Sequence, residues 1–331
     1  MRGMTEQFFA MRNFVVLAVL AILPAMAGPG LAQSYPSRTV KFVVPYAAGG
    51  TSDVITRIIA DRLSIALGQP VVVENRPGAT GAIGAKAVAN AAPDGHTLLA
   101  GNTGEIAINP HWAKELGYSP DKDFLPIAFA GSVPLALVVP GKAPYSTITE
   151  MLKAANVRGL SFASAGVATP GYFAGEILKF KTKSNLTHVP YNGATPALND
   201  LLGGHVDLFF SGFPPAIPHV KAGALKLIAV SSGKRAGIAP DVPTVIEAAR
   251  IAGFDITLWQ GFFAPRGTPV EIVVRLNAEI NKILAEPGVK QKLLELGADV
   301  SPMSIDQFAS FVKSESEKYR AIIKDANLTS K

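Results

Sequence analysis

Between an apolar run and an amphipathic one, the chain reads Lys41-Phe-Val-Val-Pro-Tyr-Ala-Ala-Gly-Gly-Thr-Ser-Asp53, followed by Val54-Ile-Thr-Arg-Ile-Ile-Ala60. Gly49, Gly50, Thr51 and Ser52 set two residues without side chains beside two hydroxyls. A glycine lets a ligand come close to backbone N–H groups, and each hydroxyl adds a donor. If a helix starts here, its first amides have no partners in the helix and its dipole favours negative charge. The chemistry implied is capture of a small anion, a carboxylate or a phosphate. Tyr46 either closes one side of such a site with its ring or packs beneath the loop. Asp53 reads as structural, because an acid in the first turn suits the dipole and would repel an anionic ligand.

Two further stretches have the same character. Gly101-Asn-Thr-Gly-Glu105 follows the apolar residues 97–100. Ligands of open parallel sheets gather at the carboxyl ends of strands, where this loop should lie. Asn102 and Thr103 offer donors and acceptors there, or else form a plain polar turn. Ala163-Ser-Ala-Gly-Val-Ala-Thr-Pro-Gly171 again leads from a strand to a helix, and offers Ser164, the Gly166 amide and Thr169. Thr169 equally suits the helix cap, with Pro170 in the first helical position. Asp207 follows Gly-Gly-His-Val and opens Leu-Phe-Phe, as a turn-forming acid does at a strand start.

The elements that would carry these loops alternate between strand-like and helix-like patterns, which predicts an α/β architecture. Strands are expected at residues 40–44, 71–74, 97–100, 124–130, 135–139, 160–163, 187–189, 208–210 and 225–230. Helices are expected at 53–67, 83–91, 148–156, 171–180, 196–202, 270–285, 289–296 and 305–324. Thr51 or Ser52 can cap the first helix, and Gly68 suits the left-handed turn that would end it.

At 331 residues the chain has room for two domains of ordinary size, and 48% hydrophobic against 17% charged residues describes a globular protein. The net charge of +6 is spread out rather than striped. Its densest cluster, Lys179, Lys181 and Lys183, reads as a solvated surface, so nucleic-acid binding is disfavoured. The absence of cysteine excludes disulfides, thiolate metal sites and a lipoprotein anchor. Arg2 and Arg12 precede an apolar run at 14–23, then Pro24 and two small-residue sites, the three regions of a secretory leader. Cleavage is expected after Ala32, which makes residues 1–32 a signal peptide and the mature protein an exported one; Met1 and Met11 are both possible starts.

Enzyme signatures fail one by one. Ser164 has Phe162 where a nucleophile elbow needs glycine, and the histidines at 96, 111, 188, 205 and 219 lack metal-ligand spacing. Gly78-Ala-Thr-Gly-Ala-Ile-Gly84 lacks the Gly-x-Gly start of a dinucleotide loop and follows a turn rather than a strand. Neither a cofactor nor a metal is expected, and no catalytic residue.

The ordered series of motifs carries more than any one of them. After the loop at 46–53 come Gly68-Gln-Pro-Val-Val-Val-Glu-Asn-Arg-Pro-Gly78, Pro93-Asp-Gly-His-Thr-Leu-Leu99, His188-Val-Pro-Tyr-Asn-Gly193, Asp200-Leu-Leu-Gly-Gly-His-Val-Asp207, Asp241-Val-Pro-Thr244 and Trp259-Gln-Gly-Phe-Phe-Ala-Pro-Arg-Gly-Thr-Pro269. From about residue 35 to 324 the chain resembles the tripartite tricarboxylate transporter receptors, or Bug proteins. The resemblance implies a type II periplasmic-binding-protein fold, two α/β lobes with a ligand cleft between them. The strand crossovers are expected near 135–139 and 256–260, giving lobe 1 at 35–136 and 259–331 and lobe 2 at 137–258. It implies a periplasmic receptor that closes over a small organic acid, acts as a monomer and serves a two-component membrane permease. A receptor feeding a sensor kinase, or a periplasmic enzyme acting on a similar acid, are the alternatives. Ser164 and Gly166 match the family's Ser-x-Gly, whereas Tyr172 stands where histidine or a neighbouring polar residue is common. The same resemblance sets Asp207 near the cleft, to hold water or a positive group.

Overall fold

The β-branched run at 40–44 folds as strand β1 (Val40–Val44), and β2 (Val71–Asn75) and β3 (Thr97–Asn102) lie parallel on either side of it. Helix α1 (Thr51–Leu67) connects β1 to β2 and buries Ile55, Ile59, Leu63 and Leu67, a four-residue spacing that lays one apolar stripe on the sheet. Gly68 ends it in the left-handed conformation, φ 65°, with its N–H on the Ile65 carbonyl. The chain is represented by a computed structural model that describes residues 35–325 and 328. The expected leader at 1–32 lies outside the described residues. From Arg38 onward the chain forms one compact unit, and of the other unit, residues 1–37, only 35–37 are described.

Two long strands organise the rest. β4 (Phe124–Pro140) is one continuous strand of 17 residues where the sequence suggests two, because Gly131 and Pro134 interrupt the apolar pattern without breaking the ladder. Its first part pairs antiparallel with β9 (Thr257–Pro265), and residues from Leu135 onward pair with β7 (Leu208–Gly212) and β8 (Leu225–Val230). β3 joins β9 antiparallel, and β5 (Leu160–Ser164) lies parallel to both β6 (Leu186–Pro190) and β7. The order is therefore β2-β1-β3-β9-β4-β7-β5-β6, with β8 on β4. This is a mixed α/β architecture, and among the described residues no helix is long and apolar enough to cross a membrane.

The remaining helices are α2 (Ala82–Ala89), α3 (Asn109–Trp112), α4 (Pro120–Asp123), α5 (Ile148–Arg158), α6 (Pro170–Thr182), α7 (Ala194–Gly203), α8 (Phe213–Lys221), α9 (Val245–Ala249), α10 (Val270–Ala285), α11 (Pro287–Glu295) and α12 (Ile305–Asp325). A π-helical turn at Gly104–Ile108 runs from just beyond β3 to α3. α3, α4, α8 and α9 have no counterpart in the sequence reading. In α8, Pro214 and Pro215 fall in the first turn, where their missing N–H costs no helical bond, and Pro218 lies inside the helix.

Candidate functional site

The first turns of α1, α6 and α7 meet around one cavity of about 540 Å³, part of it open to solvent. Gly50, Thr51 and Ser52 bring the start of α1, Thr169, Pro170 and Gly171 that of α6, and Ala194 that of α7. Tyr46, Leu135, Phe210 and Leu258 supply apolar wall, Asn102 a polar one, and none of the lining residues is charged. The uncapped starts of α1 and α7, beside an apolar pocket without a cation, suit an anionic oxygen, with positive potential from backbone; α6 adds less, because Pro170 has no N–H and Thr169 takes that of Tyr172. A second cavity lies on the other side of Tyr46, between the turn at 78–81 and residues 165–167 and 190–193.

The start of α1 differs from expectation in one respect. Gly50, not Thr51 or Ser52, is the N-cap, and no side chain caps the helix. Both hydroxyls lie inside the first turn, where Thr51 packs against Gly212 with no room for a Cβ there, and Ser52 faces Asn102. The N–H groups at the start of α1 are thus left without a capping side chain. Gly49 points elsewhere: its N–H donates to Asp53 Oδ2 at 2.9 Å. Asp53 also accepts from Arg57 Nε at 3.0 Å and Asn75 Nδ2 at 2.9 Å, and Asn75 in turn donates to the Tyr46 carbonyl at 3.0 Å. Burial by itself raises the Asp53 carboxyl, but hydrogen bonds from Arg57, Gly49 and Asn75 outweigh it and hold it below its ordinary value. Asp53 is the loop's anchor, as its position in the sequence suggested.

Asn102 and Thr103 separate in role. Asn102 Nδ2 donates to Ser52 Oγ at 3.0 Å, and Asn102 Oδ1 accepts the Gly104 N–H at 2.8 Å, so the amide orientation is fixed from both ends. Thr103 is fully buried; its hydroxyl donates to the Thr257 carbonyl and accepts the Trp259 N–H at 2.9 Å, which ties β9 to the end of β3 rather than facing the cavity.

The third loop is held from within. Ser164 Oγ donates to the Gly166 carbonyl at 2.8 Å and lies 2.7 Å from His188 Nε2, an arrangement that requires the Nε2-protonated imidazole. Burial, with Lys179 adding to it, lowers the His188 pKa to about 4, so the ring is neutral near pH 7. Thr169 is the N-cap of α6, accepting the Tyr172 N–H, and it donates to the Gly166 carbonyl at 2.7 Å. Thr169 lines the first cavity and Gly166 the second, whereas Ser164 lies beneath them. Tyr172 is buried against Trp112, Phe173 and His188. Asp207 lines neither cavity: it accepts from Ser161 N at 2.9 Å, Ser161 Oγ at 3.0 Å and Arg158 Nη2 at 2.8 Å, fastening the start of β7 to β5.

Two residues that the sequence reading names only within motifs, without a role at the site, belong to it. His188 is the Ser164 partner, and Glu105 is fully buried in the π-helical turn. Glu105 Oε1 accepts the Asn102 N–H at 2.6 Å and Oε2 accepts the Tyr46 hydroxyl at 3.0 Å. The available signal was a single acid between an apolar strand and Ile106-Ala-Ile108.

The mixed sheet with its flanking helices defines a class, the α/β periplasmic binding proteins. Residues 55–328 match the family described as the tripartite tricarboxylate transporter family receptor, and the chain belongs to that family. It is similar to the solved structure of Rpa4515 of R. palustris with adipate (TM-score 0.86, 34% identity, covering 88% of this chain and 98% of that one). It is similar also to the periplasmic binding protein BugD (0.85, 34%, 90% and 100%). MatC (Rpa3494) of Rhodopseudomonas palustris with bound malate is a third (0.82, 35%, 87% and 100%).

Proposed function

We propose that this chain is an exported, periplasmic solute receptor that binds a small carboxylate between two lobes and delivers it to a two-component membrane permease. One observation carries the reading: three helix N-termini face a cavity without a charged lining residue. Such a site holds a carboxylate by backbone amides and hydroxyls and turns over nothing, since no nucleophile paired with a base lines it. In this reading lobe 1 comprises residues 35–136 and 259–331, lobe 2 comprises 137–258, and β4 and β9 form the hinge. Gly50, Thr51, Ser52, Asn102 and Thr169 touch the ligand, and Tyr46 walls it. Gly49, Thr103, Ser164, Gly166 and Asp207 hold those residues in place. Closure buries the acid and presents the permease with a changed outer surface. The neighbours bound to adipate and malate support dicarboxylates as the first compounds to try. The receptor acts as a monomer.

A thermal-shift screen of the mature protein against mono-, di- and tricarboxylates, with the matching amides as controls, tests this. A ligand of the folded state raises the melting temperature with the logarithm of its concentration over Kd. A shift from an acid and none from its amide is expected. Shifts from amides alone, or product formed from any acid, would refute the proposal.

A further inference from the structure

Glu105 sits one side chain behind the cavity, and each of its oxygens holds a residue that lines it: Oε2 the Tyr46 hydroxyl, Oε1 the Asn102 backbone N–H. Asn102 passes this on to Ser52. The carboxyl is fully buried, in a π-helical turn, and the Gly81 and Gly104 backbones close over the Tyr46 hydroxyl so tightly that a Cβ at Gly104 would collide with it. π-turns of this kind recur at functional sites. Taking the anion-binding reading above as its basis, we propose that Glu105 is a positioning residue that couples ligand binding to a proton: the cavity accepts an anion while Glu105 is protonated and loses affinity when Glu105 ionises.

An ionised Glu105 would set a negative charge in buried surroundings directly behind the bound anion, where like charges interact strongly. Among the described residues no cation is placed to neutralise it. The ionisable side chains against it are Tyr46 from the β1–α1 loop and Tyr118 from the segment before α4, whose hydroxyl donates to the Glu105 carbonyl at 2.7 Å. Asn102 on β3 and the turn at Ala79–Gly81 bring no ionisable group. On α3, His111 bonds to Ser316. α12, which packs on the π-turn, carries Asp306, Lys313, Glu315, Glu317, Lys318, Tyr319, Arg320, Lys324 and Asp325; there Lys318 pairs with Glu315, and Glu315 accepts from Trp259 Nε1. Burial holds the Glu105 carboxyl up at about 8, against the hydrogen bonds that lower it; once protonated, Oε2 donates to the Tyr46 oxygen 3.0 Å away instead of accepting from it. An anion entering the cavity pushes it higher, so binding at and above pH 8 takes up to one proton from solution onto Glu105, and by reciprocity the proton strengthens binding.

The test has a ligand-free arm and a binding arm. In the first, infrared spectra of the unliganded protein at pH 6.5 and pH 9 are compared with those of Glu105→Gln. A protonated-carboxyl band present at pH 6.5, lost at pH 9 and missing from the variant is expected. Its absence at pH 6.5 overturns the proposal whatever the protein binds. In the second, calorimetry with adipate, malate and every acid that shifts the melting temperature is run at both pH values, in buffers of differing ionisation enthalpy. Affinity about tenfold weaker at pH 9, with proton uptake, and a flat pH profile in Glu105→Gln are expected. Equal affinity at both pH values overturns the proton coupling and leaves the receptor reading standing. Binding of no acid at either pH, despite the band, overturns the receptor reading and this coupling with it.

Discussion

Asn102 Nδ2 donates to Ser52 Oγ at 3.0 Å across fifty residues of chain, and both residues line the cavity. The bond joins the end of β3 to the start of α1, so the donor's direction is set by two rigid elements rather than by a loop. Ser52→Ala should therefore remove one ligand hydrogen bond and leave Asn102 Nδ2 unpaired. Calorimetry with the cognate acid should show a loss of about 1–3 kcal/mol, and the unpaired, buried Asn102 amide should lower the melting temperature somewhat. Unchanged affinity would mean that Ser52 faces Asn102 alone.

Gly50→Asp separates binding from folding. Gly50 has φ −74° and ψ 169°, and a Cβ there meets only the Ala47 carbonyl, at 3.4 Å. Aspartate is among the preferred N-cap residues and differs from glycine by a few tenths of a kcal/mol in its favour. Its carboxylate would take up the free N–H groups that the ligand needs. The variant should melt at or slightly above the wild-type temperature and show no thermal shift with any acid. A variant that still binds would remove the start of α1 from the site.

The same two loops show how much could be read in advance. β1, the glycine pair and α1 were legible because apolar spacing and glycine positions are local properties of sequence. The Thr169–Pro170 start of α6 was legible for the same reason. The actual cap of α1 was not: whether a hydroxyl turns back onto its own helix or forward onto Asn102 depends on a strand fifty residues away. Thr103, Ser164 and Asp207 have the polarity of ligand contacts, yet each is taken up by tertiary bonds to Trp259, His188 and Ser161. Glu105 was invisible for a deeper reason. An acid beside an expected anion site argues against itself until burial and its two donors are known.

Asp53 and Glu105 should shape the pH dependence of stability in opposite senses. Asp53 is held below its ordinary 3.8, so its contribution is present above that value and is lost as pH falls through the lower folded one. Glu105 is held up at about 8 against an ordinary 4.5, so the folded chain binds the extra proton between them. Its contribution is full below 4.5 and is lost as pH rises towards 8. Urea midpoints measured from pH 3 to 9 should decline on both sides, with Asp53→Asn flattening the acid limb and Glu105→Gln the limb up to 8. If Glu105→Gln keeps the full decline, another buried acid is responsible.

The contact between residues 46–49 and 193–195 offers a direct test of the hinge. Thr195 Oγ1 donates to the Ala48 carbonyl at 3.2 Å, and a Cβ built on Gly193 lies 3.1 Å from the Ala47 Cβ. The chain contains no cysteine, so Ala47→Cys with Gly193→Cys introduces a single pair at a spacing that small shifts make suitable for a disulfide. Gly193 has φ 117°, and a side chain there costs about 1–3 kcal/mol in strain, which the reduced form must bear as well. The reduced variant should bind acid with rates near wild type. The oxidised one, if the lobes must part to admit ligand, should neither take up acid nor release acid trapped before oxidation. Equal exchange rates in the two states would show that ligand reaches the cavity without the halves separating, and the hinge at β4 and β9 would then have no part in binding.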